Sequence, residues 1–266
     1  MADDIEQRLQ LAVEVAREAG EITLEHYQSA SLRVESKADE SPVTAADRAA
    51  ETRLRERIAA RFPHDAIVGE EFGEQPGSSG YQWVLDPIDG TKSFICGVPL
   101  YGTLVGVAME DGEGVAGVIH IPALDEMVYA ARGKGAWYVQ RGAAAVRAST
   151  SRRSLEDGLF LTTDERAFGK LQANGEAAYR QLASAARLTR TWGDCYGYLA
   201  VAVGRAELMV DPALHVWDAA ALQPVLEEAG GHFVDWRGEP TIRGGDGIGA
   251  ANRQVLEAAL AACRGK

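Results

Sequence analysis

The sequence predicts a layered α/β sandwich: an N-terminal α+β half, a C-terminal α/β half, and a site between them. Three observations carry this. Two helical patterns open the chain, short strands separated by glycine-containing turns follow, and strands and helices alternate from about residue 150. The boundary is expected near Arg147 to Arg153, giving halves of 1–147 and 148–266.

Residues 4–27 read as an amphipathic helix, because Ile5, Leu9, Ala12, Ala16 and Ala19 recur at spacings of three and four. A second helix runs from 44 to 61. Thr44 is a good N-cap, Asp47 completes a capping-box pattern, and Phe62-Pro63 ends it. Strands are expected at 66–69, 81–85, 102–109, 114–120, 126–131 and 135–139, in an antiparallel sheet. Residues 73–80 (GEQPGSSG) have the composition of a loop. In the second half, strands are expected at 159–162, 188–192, 206–210, 232–236 and 247–250. Helices are expected at 175–186, 195–203, 217–229 and 253–263.

Composition bounds the function. The 266 residues, 46% hydrophobic and 25% charged, can bury a large core. A formal net charge of -12 argues against nucleic-acid and anionic-membrane partners, which need basic patches. It leaves anionic substrates open, since bound cations reverse the local field. Cys96, Cys195 and Cys263 are odd in number and widely spaced, which suggests neither disulfides nor zinc and fits a reduced, cytoplasmic setting. The acidic, amphipathic start is unlike a signal peptide, and no apolar run reaches the roughly 18 residues of a membrane span. No histidine pair has HxxxH spacing. GxSxG and GxxxxGK[ST] are both absent, which argues against serine hydrolases and nucleoside triphosphatases.

The chemistry concentrates in Trp83-Val84-Leu85-Asp86-Pro87-Ile88-Asp89-Gly90-Thr91. An apolar strand delivers two acids, three apart, into a turn of Pro and Gly. Glu70 and Glu71 end an earlier apolar run, and Asp218 opens an apolar helix in Trp217-Asp218-Ala219-Ala220. If Glu70, Asp86, Asp89 and Asp218 converge, cations must compensate their repulsion, because burying unpaired charge is costly. Hard oxygen ligands favour Mg²⁺ or Mn²⁺, and the Ile88 carbonyl adds another such ligand. Ions placed there suit phosphoryl transfer. Either Glu70 or Glu71 can reach the Asp86 metal. The amides from Gly90 onward open a short helix suited to a phosphate. A threonine hydroxyl near a carboxylate can orient and deprotonate a water. Thr91 with Asp47 is the favoured pair, one that chain position alone does not reveal. His215 lies close to Asp218 in sequence, but a core or surface role suits it better.

These residues resemble the inositol monophosphatase-like superfamily of Mg²⁺-dependent, lithium-sensitive phosphatases. The resemblance rests on Lys37, Pro42-Val43-Thr44-Ala45-Ala46-Asp47, Gly69-Glu70-Glu71, Asp86-Pro87-Ile88-Asp89-Gly90-Thr91, Trp217-Asp218-Ala219-Ala220 and Glu228-Ala229-Gly230-Gly231, in this order over nearly the whole chain. Its histidinol-phosphatase branch is the nearer likeness. That rests on Arg190-Thr191-Trp192-Gly193-Asp194-Cys195-Tyr196-Gly197-Tyr198, Gly204-Arg205-Ala206-Glu207, Met209-Val210-Asp211-Pro212 and residues 217–224. Many relatives carry an acid where this chain has Ser41.

The resemblance implies a layered αβαβα sandwich of the inositol monophosphatase and sugar phosphatase type, usually a homodimer. It implies that Glu70, Asp86 and the Ile88 carbonyl hold a first Mg²⁺, that Asp86, Asp89 and Asp218 hold a second, and that Glu70 touches a weaker third through water. Asp47 and Thr91 would activate the attacking water. The Asp89, Gly90 and Thr91 amides would grip the phosphate, and Arg190, Asp194 and Asp211 would meet the rest of the substrate. Histidinol phosphate carries groups that can be cationic, which Asp194 and Asp211 would attract. The expected partner is a small phosphate monoester: histidinol phosphate, with inositol 1-phosphate or a broader set of sugar phosphates as the alternative.

Overall fold

A computed structural model describes residues 2–30, 34–36, 42–110 and 112–265. Lys37 and Ser41, both part of the resemblance, lie outside the described residues. The chain opens with helix α1 (Ala2–His26), a two-stranded ribbon of β1 (Val34–Ser36) and β2 (Pro42–Thr44), and helix α2 (Ala45–Arg61). Then come β3 (Ala66–Gly69), β4 (Gly73–Gln75), β5 (Tyr81–Asp89), the short helix α3 (Thr91–Ile95), β6 (Gly102–Met109), β7 (Gly114–Ile121), β8 (Glu126–Ala131), β9 (Gly135–Gln140) and β10 (Val146–Arg147). The second half holds β11 (Leu159–Leu161), α4 (Glu165–Leu171), α5 (Gly175–Ala185), β12 (Leu188–Arg190), α6 (Asp194–Ala202) and β13 (Leu208–Leu214). It continues with α7 (Val216–Ala219), α8 (Leu222–Glu228), β14 (His232–Val234), β15 (Gly245–Ala250) and α9 (Arg253–Cys263).

Among the described residues, β3 to β10 form one eight-stranded sheet in the order β10-β9-β8-β7-β6-β5-β3-β4. Strands β11 to β15 form a five-stranded sheet in the order β12-β11-β13-β15-β14. Side-chain alternation along the strands explains the layering. On β5, Trp83 and Leu85 face a core with Leu9, Ala12, Val15, Ala16 and Ala19 of α1 and Leu54 and Ile58 of α2. Val84 faces the other way, toward Ala220. Leu104, Ile119 and Val128 pack on that opposite face with Leu199 of α6, Leu222 and Val225 of α8, and Met209 and Phe233 of the second sheet. The outer face of the second sheet is covered by Phe168 of α4, Leu182 of α5 and Val255 and Ala259 of α9. The order is therefore αβαβα, the predicted fold class.

Several local expectations change. The predicted loop 73–80 begins with an edge strand, β4, paired antiparallel to β3 (Ile67 opposite Gln75) and exposed throughout. An edge strand with no buried face leaves no apolar alternation to read. Strands β3 and β5 run parallel, not antiparallel. Strand β5 continues past Leu85 to Asp89, with an irregularity between Asp86 and Asp89. Pro87 is tolerated there because a bulge relieves it of a ladder donor. The helix expected over 217–229 is two helices, α7 and α8. Pro224 then falls in the first turn of α8, where a missing N–H costs no bond. Helix α4, capped by Asp164, was not anticipated.

A buried ion pair ties α1 to the first sheet. Arg8 donates from Nε and Nη2 to the two Asp65 oxygens, each at 2.8 Å. Ser79 Oγ (2.6 Å) and Trp83 Nε1 (2.9 Å) donate to the same carboxylate. The Arg8 guanidinium also lies 3.7 Å from the Tyr81 ring centre and 4.4 Å from that of Phe62.

His120 on β7 is buried under α1, its Nδ1 2.9 Å from the Ala16 carbonyl. That acceptor requires the Nδ1–H form. Burial pushes the His120 pKa down to about 4; Arg17 acts the same way and Asp125 acts against it. Between the ordinary value near 6.5 and about 4, the unfolded chain therefore binds a proton that the folded chain refuses. Stability is expected to fall on acidification through this window by about 3 kcal/mol. Urea titrations at pH 7 and pH 4.5 check it: His120→Gln should show a smaller pH difference than the parent, and an equal one would refute the assignment.

Candidate active site

Asp86 and Asp89 leave the C-terminal end of β5, where the bulge aims both toward the front of α7. Asp86 is buried, and its Oδ1 accepts the Ile88 N–H at 3.0 Å. The turn chemistry of an Asp before Pro is thus present beside any ligand role. The Ile88 carbonyl accepts the Thr91 hydroxyl at 3.1 Å. Gly90 holds φ +81°, a conformation that favours glycine, and a Cβ there would lie 2.8 Å from an Asp194 oxygen and push that carboxylate aside.

Asp218 lies in the first turn of α7 rather than ahead of it, and closes a capping box. His215 is the N-cap, and Asp218 sits three residues on, its Oδ2 accepting the His215 N–H at 2.6 Å. The His215 ring stacks on Trp217 with centroids 4.7 Å apart. Asp86, Asp89 and Asp218 each offer an oxygen within 4.8 Å of the others, although Asp218 lies more than a hundred residues from the other two. Glu70 joins them from the end of β3: its charge raises the pKa of Asp86 and of Asp218.

Electrostatics show what this cluster lacks. Burial, then the charges of Glu70, Asp89 and Asp218, pushes the Asp86 carboxyl well above the ordinary range. Burial, then Asp194 and Asp218, does the same to Asp89. Burial lifts Asp218 to about 6 despite the hydrogen bond from His215. Among the described residues, no cation beside this group is strong enough to reverse those shifts. An all-oxygen set of this charge and depth fits hard divalent ions such as Mg²⁺.

The remaining predicted residues divide. Asp47 is buried at the start of α2. Its Oδ2 accepts the Thr44 backbone N–H (2.8 Å) and the Thr44 hydroxyl (2.6 Å), while Oδ1 is buried and has no hydrogen-bond partner among the described residues. Thr91, which the sequence analysis joins to Asp47 in activating a water, donates its hydroxyl to the Ile88 carbonyl. A cleft of about 580 Å³ is lined by Glu70, Gly90, Thr91 and Asp194. Asp194 has φ +51°, its N–H donates to Thr163 Oγ1 at 2.9 Å, and burial raises its carboxyl to about 6. The next amide, of Cys195, donates to Asp89 Oδ2. Asp211 lies deeper, against a cavity of about 90 Å³. Its oxygens hold the Thr163 N–H and the Tyr198 hydroxyl, each at 3.1 Å, and burial raises it to about 7. Arg190 is not brought in: it is exposed on the edge strand β12, hydrogen-bonded to the Thr189 carbonyl, and outside the cleft lining.

Sequence reading missed Lys92, Ser93, Thr163, Asp164, Glu165 and Arg166 in the cleft wall. Two signals pointed there: direct continuation of the Asp-Gly-Thr turn, and a polar run just past β11, at the strand end where α/β sheets bind ligands.

A family model described as the inositol monophosphatase family matches residues 4–265. The chain is 44% identical to a histidinol-phosphatase of Chlorobaculum parvum over 96% of its own length and 95% of that protein's. It is 36% identical to a histidinol-phosphatase of Mycobacterium tuberculosis, over 90% and 92% of the two chains. Among solved structures, an inositol monophosphatase from Zymomonas mobilis superposes with a TM-score of 0.83 at 33% identity, covering 97% of this chain and 98% of that one.

Proposed function

The chain belongs to the inositol monophosphatase family, and we propose that it is a divalent-metal-dependent histidinol-phosphatase, cleaving L-histidinol phosphate to L-histidinol and phosphate. The observation that carries the phosphatase reading is the convergence of Asp86, Asp89 and Asp218 beside a large open cleft. The 44% identity to the Chlorobaculum parvum histidinol-phosphatase favours this substrate.

In this reading the N-terminal half, 1–147, supplies Glu70, Asp86, the Ile88 carbonyl and Asp89, and the C-terminal half, 148–266, supplies Asp218. Together they would hold two or three Mg²⁺, with Mn²⁺ as a substitute. Ions held there supply positive charge that favours deprotonation of the attacking water and offsets charge growing on the leaving oxygen. Asp47 Oδ1, buried and without a hydrogen-bond partner among the described residues, is the atom that would take the proton. The Thr91 hydroxyl would orient the water, and the Asp89, Gly90 and Thr91 amides would hold the phosphate. Asp194 would face the cationic amine. Asp211, tied to Thr163 and Tyr198, would act on the substrate through the placement of Asp194. Arg190 would need to swing in from the edge strand to take part.

The same reading makes the protein a homodimer of the reducing cytoplasm that serves histidine biosynthesis, with no nucleic-acid or membrane partner. The cysteines Cys96, Cys195 and Cys263 are all unpaired, which suits that compartment. Among the described residues, no helix is long and apolar enough to cross a membrane.

The likeness to the Zymomonas mobilis inositol monophosphatase supports a second reading with the same chemistry on inositol 1-phosphate. A panel of phosphate monoesters assayed in Mg²⁺, with and without Li⁺, separates the two. Histidinol phosphate is expected to show the highest kcat/KM, by at least about tenfold over inositol 1-phosphate. The reverse order would transfer the assignment to the second reading.

A further inference from the structure

Glu51 lies outside the cleft lining, yet its side chain is wholly inaccessible to solvent. It sits on α2 one helical turn after Asp47, so the two carboxylates leave the same face of the helix. Its Oε2 accepts the Glu71 N–H at 2.7 Å, and its Oε1 accepts the Phe72 N–H at 3.2 Å. Arg55 Nε donates to Oε1 at 2.7 Å and completes the neutralisation. Arg55 also donates from Nη2 to the Gly73 carbonyl. On the other side of Glu70, a Cβ on Gly69 would lie 2.1 Å from Glu51 Oε1. The backbone from Gly69 to Gly73 is therefore wrapped around one buried carboxylate, and Glu70 is the residue in the middle of that wrap.

We propose that Glu51 is a positioning residue for the divalent-metal site: by holding the Glu71 and Phe72 amides, it sets where the Glu70 carboxylate meets Asp86. This rests on the reading of Glu70 as a metal ligand. It makes α2 a single rod serving two parts of the site, Asp47 in its first turn and the Glu70 turn, through Glu51, one turn later. A carboxylate this deep is stable only while its donors stay in place, so the turn has little freedom to drift.

Calorimetric titration of the full chain with MgCl₂ tests this without any substrate, so a wrong substrate assignment leaves the result standing. Glu51→Gln keeps the size and one acceptor oxygen. It is expected to stay folded, to bind Mg²⁺ about tenfold more weakly, and to shift the Mg²⁺ requirement for activity equally. KM for the phosphate monoester at saturating Mg²⁺ should hardly move. In a Glu70→Gln background, Glu51→Gln should weaken Mg²⁺ binding by less than about twofold, because the route to the metal is already cut. Unchanged Mg²⁺ affinity in folded Glu51→Gln, or the full penalty in the Glu70→Gln background, would overturn the proposal. Should Glu51→Gln not fold, Gly69→Ala crowds the same carboxylate from the other side. Weaker Mg²⁺ binding in that variant supports the proposal, and parental binding overturns it. A parental protein that binds no Mg²⁺ would remove both the metal-site reading and this one.

Discussion

Asp89→Asn is expected to lower turnover in Mg²⁺ by on the order of 10²–10³-fold or more while leaving the fold intact. Asparagine keeps a carbonyl oxygen that can still accept the Cys195 N–H, so the start of α6 stays anchored. What disappears is one negative charge from a group whose members stand within 4.8 Å of one another. Without metal, that loss relieves repulsion, so the melting temperature of the metal-free variant should equal or exceed that of the parent. With metal, the variant has lost a ligand and gains little from added Mg²⁺. Activity loss and apo-stability gain therefore move in opposite directions, a pattern that simple misfolding cannot produce. Near-parental turnover would rule out the metal-clamped mechanism.

Asp65→Ala is expected to destabilise the protein by roughly 3–5 kcal/mol, the cost of stranding a buried guanidinium. Arg8 and Asp65 side chains are only 8% and 2% exposed, so solvent cannot replace the lost partner. Ser79 and Trp83 lose their acceptor in the same step. Burial works against the Asp65 charge, but the hydrogen bonds from Arg8, Ser79 and Trp83 and the charge of Arg8 outweigh it and hold the carboxyl below its ordinary value. The contribution of Asp65 is then complete above about pH 4 and is lost as pH falls through the lowered folded value. Urea unfolding at pH 7 measures the loss. A change below about 1 kcal/mol would mean that the network is replaceable by packing alone.

Much of the site was legible because its chemistry is local. Asp86, Pro87, Asp89 and Gly90 advertise a strand end that turns sharply, and backbone sterics allow few other residues there. The capping pattern of Thr44 and Asp47 was also readable, since both partners lie within one turn of helix. The grouping of Glu70, Asp86, Asp89 and Asp218 was reached from charge types and from the family resemblance, not from any spacing between distant segments. How Asp47 and Thr91 relate across two segments was the less accessible detail, because the hydroxyl bonds each makes are local: Thr44 to Asp47, and Thr91 to the Ile88 carbonyl.

By itself, the sequence determined the features set by neighbours along the chain: the amphipathic helix α1, the start of α2, the apolar strands, and the acid-rich turn after Leu85. The tertiary structure alone decided which way each segment faces once packed. It made β3 parallel to β5 and turned the exposed 73–75 segment into an edge strand. It left Arg190 on an outer edge, drew Asp211 beneath the surface, and buried Glu51 behind the Glu70 turn. The physical reason is that periodicity and capping report the free energy of a segment with itself. Burial and hydrogen-bond pairing between segments depend on crossings of sheets and helices that no short window of residues contains.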